Sequence, residues 1–192
     1  LWTATEQMIK NKESRTNEEV FMEAFFSFFP AANREDIINR FDQFYKEKFP
    51  SLKEKLTFNQ NSAKEVVNLF YNQDYSLVLA TNPIFPREAV EARLKWAGVK
   101  PAKFDLITSY ENMCYAKPYP EYYQEIVEKL KVEPTKCLMV GNDSQEDMIA
   151  KKLGMKTVLI NNFLIDRDDE VSLAPDWQGN WAECKKLVVE NL

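Results

Sequence analysis

The segment Cys137-Leu-Met-Val-Gly-Asn-Asp-Ser-Gln-Glu-Asp147 decides the fold of this chain. Its short apolar run, residues 137–140, predicts a buried strand, and the glycine that follows allows the backbone to turn sharply where the strand ends. Residues 145–153, closed by Gly154, predict a helix, and residues 157–160 predict a second strand. Strand, helix and strand in this order are typical of a βαβ unit with parallel strands.

The same alternation extends toward the N-terminus. Strands are predicted at residues 76–80 and 104–108, and helices at residues 86–97 and 119–130. The predicted fold class is therefore α/β, with a doubly wound, mostly parallel sheet. Ligands of such sheets bind at the carboxyl ends of the strands, so the residues after each strand are the candidates for function. The tail after residue 160 predicts an irregular loop and then a helix near residues 182–189.

The first part of the chain has a different, helical pattern. Apolar residues recur at helical spacing from Phe21 to Phe28 and again from Ile37 to Tyr45, which predicts two amphipathic helices. Asn17 and Asn33 are the predicted caps of these helices. We expect a small all-helical module over residues 1–60.

The remaining residues, 61–192, are expected to form the sheet-containing core. Ser62 and Glu65 have the spacing of a capping box at the start of its first helix. The predicted boundary between the helical module and the core falls near residues 59–62.

Composition excludes several classes of function. With 25 basic and 30 acidic residues in 192, the net charge of −5 gives no basic surface for nucleic acid. No apolar run is long enough to span a membrane. The absence of histidine excludes serine–histidine and cysteine–histidine nucleophiles and any histidine-ligated metal. Three widely spaced cysteines suggest neither disulfides nor zinc, and a cytoplasmic location is expected. The oligomeric state is open.

Two of the candidate segments are weak signals when each is taken alone. Thr81-Asn82-Pro83 follows the first strand, where a hydroxyl and turn N–H groups suit a phosphate oxygen, but the same tripeptide is also ordinary turn chemistry. Lys117 precedes a helix whose first turn contains Pro120, and its ammonium there would neutralise a phosphate. Most lysines are nevertheless solvated surface residues.

The third segment is the most informative. Asp143 and Asp147 are four residues apart and can face the same point from a loop and a first helical turn. Two carboxylates held close together are unfavourable unless a cation lies between them, and hard oxygen ligands suit Mg²⁺. The alternative is that Asp143 or Ser144 caps a helix and Asp147 interacts with its dipole. The position at the end of a strand favours the metal interpretation.

Together, these three segments resemble the haloacid dehalogenase superfamily over roughly residues 62–160, and the helical module resembles its cap. The resemblance implies an enzyme in which one aspartate attacks phosphorus, a second acts as acid and base, and water hydrolyses the aspartyl-phosphate. It implies that Thr81, Asn82 and Lys117 bind the phosphoryl group, with Lys117 as the catalytic lysine, and that Asp143 and Asp147 bind Mg²⁺. Asn142 separates the glycine from the first aspartate, so either Asn142 or Asp143 faces the metal.

The first motif of the family, a strand ending in Asp-x-Asp-x-Thr, is not found in the 192 residues. In the family this strand lies at the centre of the sheet, and we expect a segment that carries it to precede the chain or to be supplied separately. The expected function is a magnesium-dependent phosphoric monoester hydrolase acting on a small phosphorylated metabolite, with its nucleophile outside this sequence. The alternatives are a 2-haloacid dehalogenase and a non-catalytic binding or regulatory protein.

Overall fold

The computed structural model describes residues 1–56, 61–166 and 173–191. They form two compact units, Leu1–Ala116 and Lys117–Leu192. The first unit contains the helices α1 (Trp2–Ile9), α2 (Asn17–Ser27), α3 (Arg34–Gln43), α4 (Asn61–Tyr71) and α5 (Arg87–Trp96) and the strands β1 (Val78–Leu79) and β2 (Leu106–Ile107). The second contains the strands β3 (Leu138–Gly141), β4 (Lys156–Ile160) and β5 (Trp177–Gly179) and the helices α6 (Pro120–Leu130) and α7 (Trp181–Asn191).

The helices near the N-terminus begin at side-chain caps. Asn33 caps α3 as predicted, accepting the N–H of Asp36. The cap of α2 is Thr16, which forms a reciprocal capping box with Glu19, so the prediction that Asn17 is the cap was wrong. Asn17 is instead the first helical residue, and its side chain is turned into the protein.

Aromatic rings hold the helical region together. The ring of Phe25 contacts that of Phe21 on its own helix, that of Phe29 just after the helix and that of Phe41 on α3. After α3 the chain continues through a π-helical turn, Phe44–Lys48, and a 3-10 stretch, Phe49–Lys55. Within that stretch Phe49 stacks on Trp96 of α5, with ring centroids 5.3 Å apart. The phenylalanine stripe therefore packs helices against one another.

A parallel two-stranded ladder forms the sheet of the first unit. Val78 pairs with Leu106 and Leu79 with Ile107, and flanking backbone hydrogen bonds extend the pairing from Leu77 to Thr108. The strands are shorter than predicted but lie at the predicted positions. Behind them is a core formed by four buried residues, Val90, Leu94, Val99 and Ile107.

The second unit has a three-stranded parallel sheet in the order β3-β4-β5. The predicted strands at 137–140 and 157–160 are confirmed as β3 and β4, and the predicted closing helix as α7. The third strand, β5, was missed because its three residues have no alternating pattern. Hydrogen bonds between Asp176 and Thr157 place it beside β4.

The helix predicted over residues 145–153 was wrong in form and length. The chain makes tight turns over residues 144–147 and then a 3-10 helix, Met148–Leu153. The carboxylate of Asp143 accepts the N–H groups of Gln145 and Glu146, and that of Asp147 points back toward the end of β3. Asp143 thus caps this turn, and its backbone carbonyl also accepts the N–H of Asp147 at 3.1 Å.

The α/β fold class is confirmed, since the strands of each sheet are parallel and connected through helices. The compact units divide the chain after Ala116, whereas the predicted boundary between cap and core lies at residue 60. The division into a cap, residues 1–60, and a core, residues 61–192, stays a prediction. The side chain of Ser62, and with it the predicted capping box, lies outside the described residues.

Within the ranges given above, no helix is both long and apolar enough to cross a membrane.

The C-cap of α6 provides a stability test, because Lys131 lies in the left-handed region with φ 56° and ψ 43°. A non-glycine residue there is strained by roughly 1–2 kcal/mol, and glycine loses roughly 0.5–1 kcal/mol through chain entropy. We expect Lys131→Gly to raise the free energy of unfolding by about 0.5 kcal/mol in urea titrations. Lys131→Ala is the control, and an equal gain from alanine would contradict the explanation.

Candidate functional site

A buried ion pair forms the centre of the candidate site in the second unit. Lys117 Nζ lies 2.5 Å from Asp147 Oδ1, and the two residues are only 4% and 5% exposed. The same ammonium lies 5.7 Å and 5.6 Å from the ring centroids of Tyr122 and Tyr123, within the range of cation–π attraction. A lysine this deeply buried is unlike a solvated surface lysine.

The second oxygen of Asp147 binds the end of β3. Asp147 Oδ2 accepts the N–H of Asn142 at 2.9 Å and that of Asp143 at 3.0 Å. The carboxylate therefore accepts donors from both the lysine and the strand end. Gly141 is necessary for this approach, because a Cβ at that position would lie 2.0 Å from Asp147 Oδ2.

Asp143 lies beside Asp147 and is also buried. Its Oδ1 atom accepts the N–H of Gln145 at 3.0 Å and that of Glu146 at 2.8 Å. This is the turn-capping role that the sequence offered as the alternative to metal binding. The two roles are compatible, because an ionised carboxylate has about four acceptor sites.

Asn142 connects the site to the loop after β4. Its side-chain Nδ2 donates to the carbonyl of Phe163 at 2.6 Å, and its own carbonyl accepts the N–H of Ile165 at 2.8 Å. Ser144 continues the contact by donating its N–H to the carbonyl of Ile165 at 3.0 Å. The side-chain amide of Asn142 thus has a structural partner in the loop.

Tyr122 and Tyr123 were not singled out from the sequence. The Tyr123 hydroxyl donates to the carbonyl of Glu146 at 3.0 Å and so holds the turn that follows β3. Burial, together with the nearby Asp147 carboxylate, raises the pKa of Tyr123 well above its ordinary value, so the hydroxyl stays a donor. The sequence feature that could have identified Tyr122 and Tyr123 is their position near the start of α6, the helix that follows Lys117.

Thr81 and Asn82 belong to the first unit. The carbonyl of Thr81 accepts a hydrogen bond from Thr108 Oγ1 at 2.8 Å, and the carbonyl of Asn82 accepts the N–H of Ile84 at 2.9 Å. The carbonyl of Pro83 accepts the side-chain amide of Asn17 at 3.2 Å. The turn after β1 is therefore fixed through its backbone carbonyls.

The donor set can be compared with the needs of a metal ion. Among the residues with described positions, no group of three or more Asp, Glu, Cys or His side chains is arranged to hold an ion. Mg²⁺ commonly uses only one or two protein carboxylates and completes its shell with water and substrate phosphate. Two buried carboxylates and no soft ligand, as at Asp143 and Asp147, fit that mode of binding.

The fold is that of an α/β protein, and the candidate site lies at the carboxyl end of the parallel strand β3. More specifically, the chain belongs to the haloacid dehalogenase-like hydrolase family, whose sequence profile matches residues 3–160. The family resemblance predicted from the three segments is thereby confirmed.

Individual relatives agree with this assignment. The chain is 28% identical to pyrophosphatase PpaX of Bacillus mycoides over 152 residues, which cover 79% of this chain and 67% of PpaX. A predicted phosphoglycolate phosphatase from Haemophilus somnus matches 71% of this chain and 61% of its own length, with 21% identity and a TM-score of 0.58. The structure of L-2-haloacid dehalogenase from Xanthobacter autotrophicus aligns with 100% of this chain and with 82% of the dehalogenase chain, at 16% identity and a TM-score of 0.61. The structural matches show the fold alone.

The close approach at Gly141 leads to a direct test. We expect Gly141→Ala to displace the Asp147 carboxylate and to lower the free energy of unfolding by about 1–3 kcal/mol, the usual range for overpacking. Urea unfolding measures the change, and a Gly141→Ala protein as stable as the wild type would contradict the geometry.

The ion pair leads to a second test through a double-mutant cycle. Lys117→Met leaves the Asp147 carboxylate buried without its cation, which typically destabilises a protein by about 3–5 kcal/mol. We expect Lys117→Met combined with Asp147→Asn to be less destabilised than the sum of the single variants by at least about 1 kcal/mol. Additive losses of unfolding free energy would show that the two groups are not coupled.

Proposed function

We propose that this chain provides the phosphate-binding and magnesium-binding residues of a phosphoric monoester hydrolase that acts on a small phosphorylated metabolite. The observation that carries the proposal is the buried Lys117–Asp147 pair at the carboxyl end of β3, with Asp143 beside it. The similarity to a pyrophosphatase supports phosphoryl transfer over dehalogenation.

Lys117 is the proposed catalytic lysine. An ammonium held 2.5 Å from a buried carboxylate, and within about 6 Å of two tyrosine ring centroids, has a fixed position rather than the freedom of a surface side chain. A charge that is already in place stabilises developing negative charge without reorganisation, and does so more strongly where water is excluded. Lys117 would therefore bind phosphoryl oxygens and neutralise them during transfer.

Asp143 and Asp147 are the proposed ligands of Mg²⁺. Their burial, their neighbouring positions at the end of β3 and their hard oxygen donors support this role. Bound there, Mg²⁺ would neutralise charge on the phosphoryl group and orient it. The partner of the Asn142 amide in the Phe163 loop argues for Asn142 as a support of the site rather than a ligand.

Thr81 and Asn82 are proposed to bind a further phosphoryl oxygen. The carbonyls of this turn are engaged by Thr108, Ile84 and Asn17, which leaves the turn in one defined conformation. The Thr81 hydroxyl and the N–H groups of the turn are the donor types that phosphate requires. The attacking aspartate that the resemblance implies has no match among the 192 residues, so the proposal concerns binding and charge stabilisation.

The test uses the protein together with the nucleophile-bearing segment that the family resemblance implies, and measures phosphate release from pyrophosphate, 2-phosphoglycolate and p-nitrophenyl phosphate, with Mg²⁺ or with EDTA. We expect turnover that EDTA abolishes and Mg²⁺ restores. Asp143→Asn should lower kcat/KM by about a hundredfold or more, on the scale of losing one preorganised electrostatic contact, and should raise the Mg²⁺ concentration needed for half-maximal activity.

Glu133→Gln is the matched control, since Glu133 is an exposed carboxylate of the same unit that pairs with Lys136. Two outcomes would overturn the proposal. Chloride release from 2-chloropropionate that is insensitive to EDTA would identify a dehalogenase. Binding of phosphate by calorimetry with no turnover of any substrate would identify a binding or regulatory protein.

A further inference from the structure

We propose that Asn17, the first residue of α2, is a positioning residue for phosphate binding. It fixes the turn after β1 and the segment that leads to Lys117 relative to α2. The contacts that support this inference lie within the first unit. Its expected effect on phosphate release rests on the proposed function. The hydrogen bonds of the Asn17 side-chain amide to these segments go to the backbone carbonyls of Pro83 and Tyr115, so its effect would act through the two backbone segments.

The side chain of Asn17 is fully buried and uses both its donor and its acceptor atoms. Nδ2 donates to the carbonyl of Pro83 at 3.2 Å and to that of Tyr115 at 3.4 Å. Oδ1 accepts from the side-chain amide of Asn11 at 3.2 Å. The backbone N–H donates to the carbonyl of Met113 at 2.8 Å. One residue thus joins three separate parts of the chain.

The two carbonyls that Asn17 binds lie next to proposed site residues in the chain. Pro83 follows Thr81 and Asn82 directly, and Tyr115 comes two residues before Lys117. A side chain that binds both carbonyls sets the distance between the two segments. Because phosphoryl transfer is sensitive to misplacement of about 1 Å, this distance bears on the reaction.

Asn11 holds the amide of Asn17 in the required orientation. Asn11 is itself buried, donates to the carbonyl of Arg15 at 2.9 Å and accepts the N–H of Glu13 at 2.9 Å. With its oxygen bound by Asn11, the Asn17 amide must present its nitrogen to the two carbonyls. A satisfied buried network of this kind favours a single arrangement of the segments that it joins.

The alternative is that Asn17 only stabilises the start of α2. That role belongs to Thr16 and Glu19, whose capping box is complete without Asn17. An apolar residue would fill the same space without burying an amide, whereas only an amide at this length offers two donors and one acceptor. The contacts therefore favour the positioning role.

The test compares Asn17→Ala and Asn17→Asp with the native protein, assayed at a temperature where each is folded. We expect kcat/KM for phosphate release to fall about ten- to a hundredfold, and the inhibition constant of inorganic phosphate to rise. Asn17→Asp keeps the shape but directs a carboxyl oxygen at the two carbonyls. Only its protonated form can donate, so its activity should decrease as pH rises relative to that of the native protein.

Hydrogen–deuterium exchange provides a readout independent of activity. Exchange should increase in peptides covering residues 79–86 and 110–117 of both variants. Asn33→Ala is the control, because it removes the cap of α3 in the same unit and should lower Tm by a few degrees without either change. Asn11→Ala removes only the partner that orients the Asn17 amide, so it should cause a smaller increase in exchange and a smaller fall in kcat/KM. It replaces the Asn17 variants in the test if these do not fold.

The outcomes separate the two proposals. If exchange increases as expected but the native protein releases no phosphate, the proposed function fails and the role of Asn17 in fixing the two segments stands. Native phosphatase activity together with unchanged kcat/KM and phosphate inhibition in the Asn17 or Asn11 variants would overturn the positioning role. Equal kinetic losses in Asn33→Ala would overturn it as well.

Discussion

The buried carboxylate of Asp147 is the group on which the candidate site depends. It accepts the Lys117 ammonium on one oxygen and the N–H groups of Asn142 and Asp143 on the other. An isolated carboxylate in this position would be unfavourable, and these three donors are what make its burial tolerable. The ion pair also holds a lysine from the start of the unit against the end of β3, so one interaction fixes both the cation and the loop.

Several local features follow from this arrangement. The position before Asn142 must be glycine, because a Cβ would overlap the Asp147 carboxylate. The turn after β3 is capped by Asp143, whose side chain accepts the N–H groups of Gln145 and Glu146. The loop after β4 is bound by Asn142, which brings Phe163 close to the end of β3. The two carboxylates thus hold residues 142–147 in place through backbone N–H groups.

The sequence predicted the order of helices and parallel strands because apolar runs and breakers report burial directly. It also marked Lys117, Asp143 and Asp147 as site candidates, and the structure brings all three into one unit. What it could not predict was the pairing of Lys117 with Asp147, since that contact joins residues thirty positions apart. The cap of α2 was assigned to Asn17 although Thr16 and Glu19 have the local spacing of a capping box. What the sequence could not show is where the Asn17 side chain goes, since its partners Pro83 and Tyr115 are distant in the chain. β5 was too short to show any periodicity.

Charge balance connects the geometry to the proposed chemistry. Lys117 contributes one positive charge and Asp143 and Asp147 two negative charges, so these three groups sum to −1 when ionised, all of them buried. A phosphate dianion brought to them meets net repulsion, which is strong where water is excluded. A divalent cation held by the carboxylates would reverse that sign. The lysine alone cannot do so, because its charge is already balanced by Asp147. On the proposed function, this pairing is the physical reason to expect that phosphate binds together with a metal ion.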